Sequence, residues 1–262
     1  MKMDKPDLAV VVITKNEEKK IRRCLSSVSS LASQIIVVDD VSTDDTAGIA
    51  RSEFAAKVIV NPASGNFDNQ RNLGIEAAER EWILQMDADE EVPEETARAI
   101  KNAIAGGTDA AAFSLVRRDC VFGVPLKHAG QEKAVKLFRK GRARYTGSKI
   151  HETLRVDGRT GEIDSFVLHY NFDSIRQVIA RWNYYTDIES ASYIRENGYP
   201  PLGPIKKRLL YKSVKLFYKH YIKRGASRDG VHGLIWAVLH VISPLLFWLK
   251  VYEKSVKENF GG

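Results

Sequence analysis

Two aspartates one residue apart follow an apolar run, a spacing that suits the binding of a divalent cation. Asp87 and Asp89 come directly after residues 82–86, whose sequence is WILQM. Residues i and i+2 of an extended chain point the same way, so the two carboxylates can converge on one ion. Hard oxygen ligands favour Mg²⁺ or Mn²⁺, and such an ion would neutralise charge on the phosphates of a nucleotide. The pattern therefore predicts metal-assisted chemistry on a phosphorylated substrate.

Other polar side chains follow two further predicted strands in the same way. Open α/β sheets bind ligands at the carboxyl ends of their strands. Any single aspartate at a strand end could instead be a turn former or a helix cap. Three clusters at equivalent strand ends together predict one shared polar site. They are Thr14, Asn16 and Glu17 after the first strand, Asp39 and Asp40 after the second, and Asp87 and Asp89 after the fourth.

The elements that must position these residues alternate in type over the first hundred positions. Short β-branched runs and amphipathic stretches follow one another, which is typical of a parallel sheet covered by helices. Ser42 is predicted to cap the second helix and Pro93 to open the fourth. After residue 106, successive strands without helices predict a mixed extension of the sheet. The predicted strands are 8–13, 35–38, 57–60, 82–86, 110–118, 134–139 and 166–170, and the predicted helices are 16–29, 43–54, 68–80 and 174–196.

A different composition begins after the Gly- and Pro-rich segment 198–204, which we interpret as the linker between a domain at 1–197 and a helical tail at 198–262. Residues 205–258 carry 12 Lys and Arg against 3 Asp and Glu. Residues 231–249 are apolar, but their histidines, serine and proline weaken them as a bilayer span.

We therefore expect the tail to form two helices lying on a membrane surface, with Asp229 capping the second. A single membrane span, a soluble appendage packed on the core and a dimer contact are the alternatives.

Charge and cysteine content limit the possible functions. Residues 1–110 have a net charge of −7 and residues 111–262 one of +14. The acidic first part argues against nucleic-acid binding, whereas the basic second part suits an anionic membrane or a phosphorylated acceptor. The two cysteines have no metal-ligand or redox spacing, and the chain starts without signal-peptide features. We expect a cytoplasmic protein that is peripheral at the inner face of the membrane.

Taken together, these segments resemble the family 2 glycosyltransferases. The resemblance implies the GT-A fold, an α/β fold with a Rossmann-like mixed sheet, followed here by a C-terminal helical extension. It covers residues 8 to about 172 and includes VVVITKNEEKKIRRCLSSV, IIVVDDVSTDDT, NQRNLGIEAA and WILQMDADEEV. Two later segments, KLFRKGRARYTGSKIHETL and VLHY, are most similar to bacterial enzymes that extend the lipopolysaccharide inner core.

The resemblance implies a nucleotide pocket at the first two strand ends. Thr14 and Asn16 or Glu17 would line it, and Asp40 would hydrogen-bond the base with Asp39 beside it. The implied donor is a nucleoside diphosphate sugar, expected to be a UDP-sugar.

The resemblance also implies a diphosphate and metal site. Arg71 would face the diphosphate, Asp87 would contact the ribose or a metal-bound water, and Asp89 would ligate Mg²⁺ or Mn²⁺ directly. His169 would be a further ligand of the metal or the diphosphate. In the alternative interpretation, Arg71 is a solvated helix charge and His169 a structural histidine.

Inverting transfer needs a general base for the acceptor hydroxyl, and in the family that this chain resembles an acidic residue fills that role. Glu152 is the predicted base and Asp157 the reserve, although Glu152 could also be an exposed loop residue. The segment QVIARW at 177–182 has one residue more than the QxxRW motif of processive synthases. We therefore expect addition of a single sugar.

The predicted function is transfer of one sugar to a cell-envelope glycan or glycolipid such as the lipopolysaccharide core, with possible homo-oligomerisation through the C-terminal helices. One alternative is a nucleotidyltransferase, but TKNEEKK after the first strand is too acidic to bind a triphosphate. The other is a membrane-docked scaffold without activity, which would not need the acidic residues together.

Overall fold

A computed structural model describes residues 5–63, 67–146 and 154–260. The chain divides into two compact units. The first unit comprises Met1–Arg117 and Glu132–His169, and the second comprises Arg118–Gln131 and Tyr170–Gly262. The predicted helix that precedes the linker at 198–204 belongs to the second unit.

The strands form one main sheet and one separate two-stranded ladder. The main sheet has the order β3-β2-β1-β4-β8-β6-β11-β5, and β7 pairs with the end of β6. Strands β9 and β10 form the ladder. The strands are β1 Leu8–Thr14, β2 Gln34–Asp39, β3 Lys57–Val60, β4 Trp82–Asp87, β5 Glu90–Glu91, β6 Ala112–Val121, β7 Val124–Pro125, β8 Gln131–Arg139, β9 Ala143–Tyr145, β10 Leu154–Val156 and β11 Thr160–Phe172.

Four helices belong to the first unit and the remaining helical segments to the second. The first four are α1 Glu18–Ser29, α2 Thr46–Phe54, α3 Phe67–Ala77 and α4 Glu94–Ala105. The second unit has α5 Ile175–Asn197, α6 Leu202–Lys207, α7 Ser213–Tyr218 and α8 Gly230–Phe260, with π-helical turns at Arg208–Lys212 and Lys219–Lys223 and a 3₁₀ turn at Ala226–Asp229. The predicted α/β class, mixed sheet and C-terminal helical extension are confirmed.

The core of the first unit is built around β1, which pairs in parallel with β2 and with β4. Its apolar side chains are buried because helices cover both faces of the sheet. Helix α1 buries the stripe Ile21, Cys24, Leu25 and Val28 that its periodicity predicts. Helix α3 approaches β1 closely at Gly74, where a Cβ atom would lie 2.3 Å from Cγ1 of Val11. A glycine is therefore required at this contact.

The predicted cap Ser42 is wrong, whereas Asp229 occupies the predicted position directly before its helix. Helix α2 begins at Thr46, and the Ser42 hydroxyl instead donates to the Asp39 carboxylate at 2.5 Å. Asp229 directly precedes α8, but its carboxylate accepts the backbone N–H groups of residues 127–129 at 2.8 to 3.1 Å. The Ser42 oxygen accepts the N–H of Asn16 at 2.8 Å, and the Asp229 carboxylate accepts N–H groups about 100 residues away in the sequence, so both acceptors are used by partners outside the helix.

Helix α8 dominates the second unit. It packs against α5, and the indole of Trp236 donates to Asp119 at 2.8 Å. The segment Ala226–Glu258 is long and apolar enough to cross a bilayer, and only 22% of its most apolar window is buried. Four of its large apolar side chains, those of Val231, Leu234, Val238 and Leu249, are exposed, and most of the others are partly or fully buried.

Candidate functional site

The carboxyl ends of three parallel strands bring the predicted site residues to one edge of the sheet. In the register of the first unit, Thr14 lies opposite Asp39, and Ile13 lies opposite Asp87. The predicted clustering of strand-end residues is therefore confirmed for β1, β2 and β4. The central strand β1 places the first cluster between the other two.

Hydrogen bonds join the loop after β1 to the loop after β2. The Asn16 N–H donates to Ser42 Oγ at 2.8 Å, and the Thr43 N–H donates to Asn16 Oδ1 at 2.8 Å. The Glu17 N–H donates to Thr46 Oγ1 at 2.9 Å. Val41 has a φ of 52°, which is unusual for a β-branched residue and is the kind of backbone strain that clusters at functional sites.

Asp39 and Asp40 take different positions in this double loop. Asp39 is buried, and its carboxylate accepts both the N–H and the hydroxyl of Ser42. Asp40 accepts the N–H of Ala63 at 2.7 Å and pairs with Lys15 at 2.9 Å. Both carboxylates thus fix the loops that shape the strand-end edge.

Thr14 differs from its neighbours in having an unused polar atom. Its hydroxyl oxygen is buried and has no hydrogen-bond partner among the described residues. A buried hydroxyl without a partner is costly, so such an atom at a strand end is suited to contact a ligand.

Arg71 is a buried cation on α3 that faces the end of β4. Its Nη2 atom lies 3.2 Å from Oδ1 of Asp87, and its guanidinium carbon lies 5.2 Å from the ring centroid of Tyr145. Asn72 holds the backbone of Tyr145, since its side chain accepts the N–H and donates to the C=O, each at 3.0 Å. Arg71 is therefore not a solvated helix charge. The sequence interpretation missed Asn72 and Tyr145, because their contact spans 73 residues.

Asp89 and His169 lie side by side. The short strand β5 pairs with β11 so that His169 lies opposite Glu90, and Nε2 of His169 is 3.6 Å from Oδ2 of Asp89. Two ligands of one cation, each about 2.1 Å from it, can be separated by such a distance. Asp87, the third predicted ligand, is engaged by Arg71. No group of three His, Cys, Asp or Glu residues that could hold a metal is found within the described ranges.

An ion pair that the sequence interpretation did not identify lies beneath this site. Both carboxylate oxygens of Glu90 accept from Nζ of Lys136 at 2.6 and 2.7 Å, and both side chains are buried. Glu90 Oε2 also accepts the N–H of Asp87 at 3.0 Å. The sequence signal for this buried pair is Lys136 itself, a lysine within the otherwise apolar segment 134–138.

The surrounding charges keep Asp87 ionised. Burial opposes ionisation, but the nearby charges of Lys136 and Arg71 outweigh it and hold the pKa of Asp87 below its usual range. In contrast, burial raises the pKa of the Cys24 thiol well above its usual value, and its S–H group donates to the Asp87 carbonyl oxygen at 3.6 Å. The edge therefore offers a fixed carboxylate beside a fixed cation, and a protonated thiol that is a poor nucleophile.

Glu152, the predicted general base, lies outside the described residues. Asp157, the reserve, pairs with Arg142 at 2.9 Å, and its side chain is 81% exposed. The structure thus leaves the base assignment as a prediction.

Breaking the buried pair by Lys136→Met is expected to destabilise the first unit by about 3–5 kcal/mol, because it leaves the Glu90 carboxylate buried without its cation. Lys133→Met is the matched control on the same strand: Lys133 pairs with Glu162 at 2.6 Å, but both side chains are more than half exposed. Its expected cost is below about 1 kcal/mol. Urea unfolding of both variants measures the difference, and equal midpoints would contradict a structural role for the buried pair.

Comparison with known proteins identifies the family of this chain. Residues 9–155 match the family model described as glycosyl transferase family 2. An uncharacterised glycosyltransferase of Rickettsia conorii is 26% identical, with 96% of this chain and 92% of the relative covered. The lipopolysaccharide core biosynthesis glycosyltransferase LpsC of Rhizobium meliloti is 24% identical, with 94% and 92% covered. A mannosyltransferase of Pyrobaculum calidifontis, solved with GDP-Man and Mn²⁺, has 16% identity and a TM-score of 0.48, with 99% and 89% covered.

Proposed function

Since this chain belongs to the family 2 glycosyltransferases, we propose that it transfers one sugar, with inversion, from a UDP-sugar to a cell-envelope glycan or glycolipid. The observation that carries the proposal is the row of side chains along one sheet edge: Arg71 against Asp87, followed by Asp89 against His169. The Arg71 cation can bind the diphosphate, and the Asp89–His169 pair can bind a metal ion that neutralises it. This row of side chains therefore suits a sugar diphosphate.

The donor's nucleotide is assigned to the double loop after β1 and β2. Thr14 supplies a hydroxyl without a partner in the described chain, and the joined loops give the pocket a fixed wall. Asp40 binds the base through the carboxylate that now pairs with exposed Lys15, while Asp39 holds the loop. Asn16 and Glu17 form the rim through their backbone contacts. This division of roles refines the predicted one.

Arg71 binds the diphosphate. Its burial makes its charge more effective than that of a surface arginine, because less water screens it. Tyr145, whose backbone Asn72 holds, packs on the guanidinium, and Asp87 accepts a hydrogen bond from it at 3.2 Å. As the sugar is transferred, negative charge develops on the leaving diphosphate, and a cation that is already in position stabilises it.

Asp89 and His169 are the residues that would hold Mg²⁺ or Mn²⁺. Their atoms lie close enough to bind one ion, and a site with so few protein ligands is usual where substrate phosphates and water complete the shell. The ion, when bound, supplies charge neutralisation at the leaving diphosphate. The Glu90 carboxylate, held by Lys136, fixes the backbone between the two aspartates.

We propose that the acceptor lies at the inner, cytoplasmic face of the membrane. The relative LpsC is described as a lipopolysaccharide core enzyme, and the basic second half of this chain suits phosphorylated glycolipids and anionic lipid headgroups. We place the enzyme at the inner face of the cytoplasmic membrane, with the C-terminal helices as the membrane-associated part and a possible site of self-association.

A donor screen tests the proposal. The full chain is incubated with UDP-, GDP-, ADP- and dTDP-sugars and Mn²⁺, and release of nucleoside diphosphate is measured. We expect release from a UDP-sugar alone and its loss when EDTA removes the metal, since a nucleoside diphosphate is a poor leaving group without charge neutralisation.

Two other outcomes would each select a rival function. Pyrophosphate formation from UTP and a sugar 1-phosphate would indicate a nucleotidyltransferase. Absence of turnover with every donor, in the presence of membrane extract as acceptor, would indicate the inactive scaffold.

A further inference from the structure

A large open groove lies in the second unit, far along the chain from the strand-end residues. Its volume is about 1020 Å³. The two π-helical turns, α7 and the middle of α8 supply its lining. The lining residues are Lys207, Arg208, Tyr211, Lys212, Ser213, Lys215, Leu216, Tyr218, Lys219, Lys223, Pro244 and Trp248.

Every charged residue that lines the groove is a cation. There are six of them, and none forms an ion pair with a carboxylate in the part of the chain that the structure describes. By contrast, Lys250 and Lys257 on the same α8 pair with Asp187 and Glu253 at 2.8 and 2.5 Å. Six like charges along one groove repel one another, so an anionic ligand would relieve the repulsion. The six cations are Lys207, Arg208, Lys212, Lys215, Lys219 and Lys223.

The same groove has aromatic and apolar walls. Tyr211 and Tyr218 are 61% and 52% exposed, and Leu216 and Pro244 lie beside the cations. The guanidinium of Arg208 stacks over Trp248 at 4.1 Å, which orients it without neutralising it. The π-helical turns widen the helix at both cation-bearing ends, a distortion that is frequent at functional sites.

This combination selects an amphiphile with a phosphate group. A free anion would leave the tyrosines and Trp248 unused, and these residue types are the ones that prefer the boundary between water and lipid. Helix α8, which forms one wall, also carries exposed apolar side chains at Val231, Leu234, Val238 and Leu249. Lysine and arginine side chains can lie along apolar surface while their charged ends reach phosphates.

We propose that this groove binds the phosphate headgroup of an anionic bilayer phospholipid, with Tyr211, Leu216 and Trp248 contacting the start of its acyl chain. The proposal does not depend on the sugar-transfer chemistry. It also differs from diffuse attraction of a basic protein to a membrane, because it requires the groove cations in particular.

Two charge-matched triple variants of the full chain test the proposal. Arg208→Gln/Lys212→Gln/Lys219→Gln removes three groove cations. Arg176→Gln/Arg195→Gln/Lys257→Gln removes three exposed cations of the same unit that do not line the groove. Co-sedimentation with phosphatidylcholine vesicles, with and without phosphatidylglycerol, measures partitioning. We expect the groove variant to bind phosphatidylglycerol vesicles on the order of 100-fold more weakly, and the control less than about fivefold more weakly.

Trp248 provides a direct readout of contact with the lipid. Trp82 and Trp236 are buried, whereas Trp182 and Trp248 are partly exposed, so a Trp182→Phe background leaves Trp248 as the accessible reporter. Phosphatidylglycerol vesicles should shift its emission to the blue, and brominated acyl chains should quench it. Circular dichroism of both triple variants, and their retained UDP binding, show that a loss of partitioning is not a loss of fold.

Four results would overturn the proposal. Equal losses in the two triple variants would indicate diffuse charge attraction. Full competition by millimolar inorganic phosphate would indicate a site for a free anion. Tight, groove-dependent binding of a single-stranded oligonucleotide would indicate a nucleic-acid surface. Unchanged Trp248 emission on bound vesicles would place the lipid elsewhere. None of these measurements requires sugar transfer, so they remain informative if the donor screen fails.

Discussion

Replacing Asp89 with asparagine is expected to lower sugar transfer by about 10³-fold or more. A metal at a leaving diphosphate contributes several kcal/mol of charge stabilisation, and each 1.36 kcal/mol corresponds to a factor of about ten in rate. Asp89 is the proposed direct ligand, since its Oδ2 atom lies 3.6 Å from Nε2 of His169. Asparagine keeps the shape of the side chain and removes its charge.

The fold should survive this substitution. Asp89 lies between the end of β4 and the start of β5, and the contact found for its carboxylate among the described residues is the 3.6 Å approach of His169. The variant should therefore unfold at nearly the wild-type urea concentration. This separates Asp89 from Lys136, whose loss is expected to act on stability.

Glu91→Gln is the matched control for Asp89→Asn. Glu91 is a carboxylate two residues further on, and its Oε2 atom lies 3.8 Å from Nε of Arg23. Titration calorimetry of UDP with and without Mn²⁺ measures the metal-dependent part of nucleotide binding. We expect this part to vanish in Asp89→Asn and to persist in Glu91→Gln. Unchanged Mn²⁺-dependent UDP affinity in Asp89→Asn would remove Asp89 from the metal site.

The parallel core and the location of the site were predictable because each depends on local patterns. Runs such as residues 8–13 are apolar throughout, which indicates strands buried on both faces, and polar residues follow them directly. In a parallel sheet these ends must meet at one edge, and the register of Thr14 with Asp39 confirms it. Family membership confirms the GT-A assignment that the motifs implied.

The parts that sequence reasoning missed depend on contacts between distant residues. The Glu90–Lys136 pair spans 46 residues, and the Asn72–Tyr145 bonds span 73. Ser42 looked like a helix cap because its type is right and an apolar periodic segment follows. Helix α2 starts four residues later, and the Ser42 side chain instead joins two loops, because its O–H donates to Asp39 and its oxygen accepts the N–H of Asn16. Local propensity alone cannot rank such competing partners.

The extent of the C-terminal helices was also underestimated. Apolarity predicted a helix at 231–249, whereas α8 continues to Phe260. Its last turns carry charged residues that pair along the helix, as Lys257 does with Glu253 at 2.5 Å. Such i, i+4 pairs stabilise a helix after its apolar stripe has ended.

The remaining large effect concerns the general base, for which Glu152→Gln is expected to lower transfer by about 10²- to 10⁴-fold. Glu152 is the preferred candidate because of its position in the sequence relative to Tyr145. Glu152 is seven residues after Tyr145 in the connection between β9 and β10, whose antiparallel pairing joins Tyr145 with Leu154. Tyr145 packs on Arg71, so this connection leaves from the proposed diphosphate site. Asp157 lies beyond the other end of the same ladder, paired with Arg142.

A comparison with Asp157→Asn decides between the two carboxylates. Glutamine at 152 removes basicity and keeps size, so UDP and Mn²⁺ affinity should be unchanged while the rate constant for transfer falls. Asparagine at 157 removes one exposed ion pair and should leave transfer within about twofold of wild type, because such pairs contribute little. Single-turnover transfer with the donor found in the screen measures both variants. Near wild-type transfer in Glu152→Gln with loss in Asp157→Asn would assign the base to Asp157, and activity in both would place the base on a different residue. A fall in UDP affinity in Glu152→Gln would instead show that this residue contacts the donor, because a base that acts on the acceptor hydroxyl has no role in nucleotide binding.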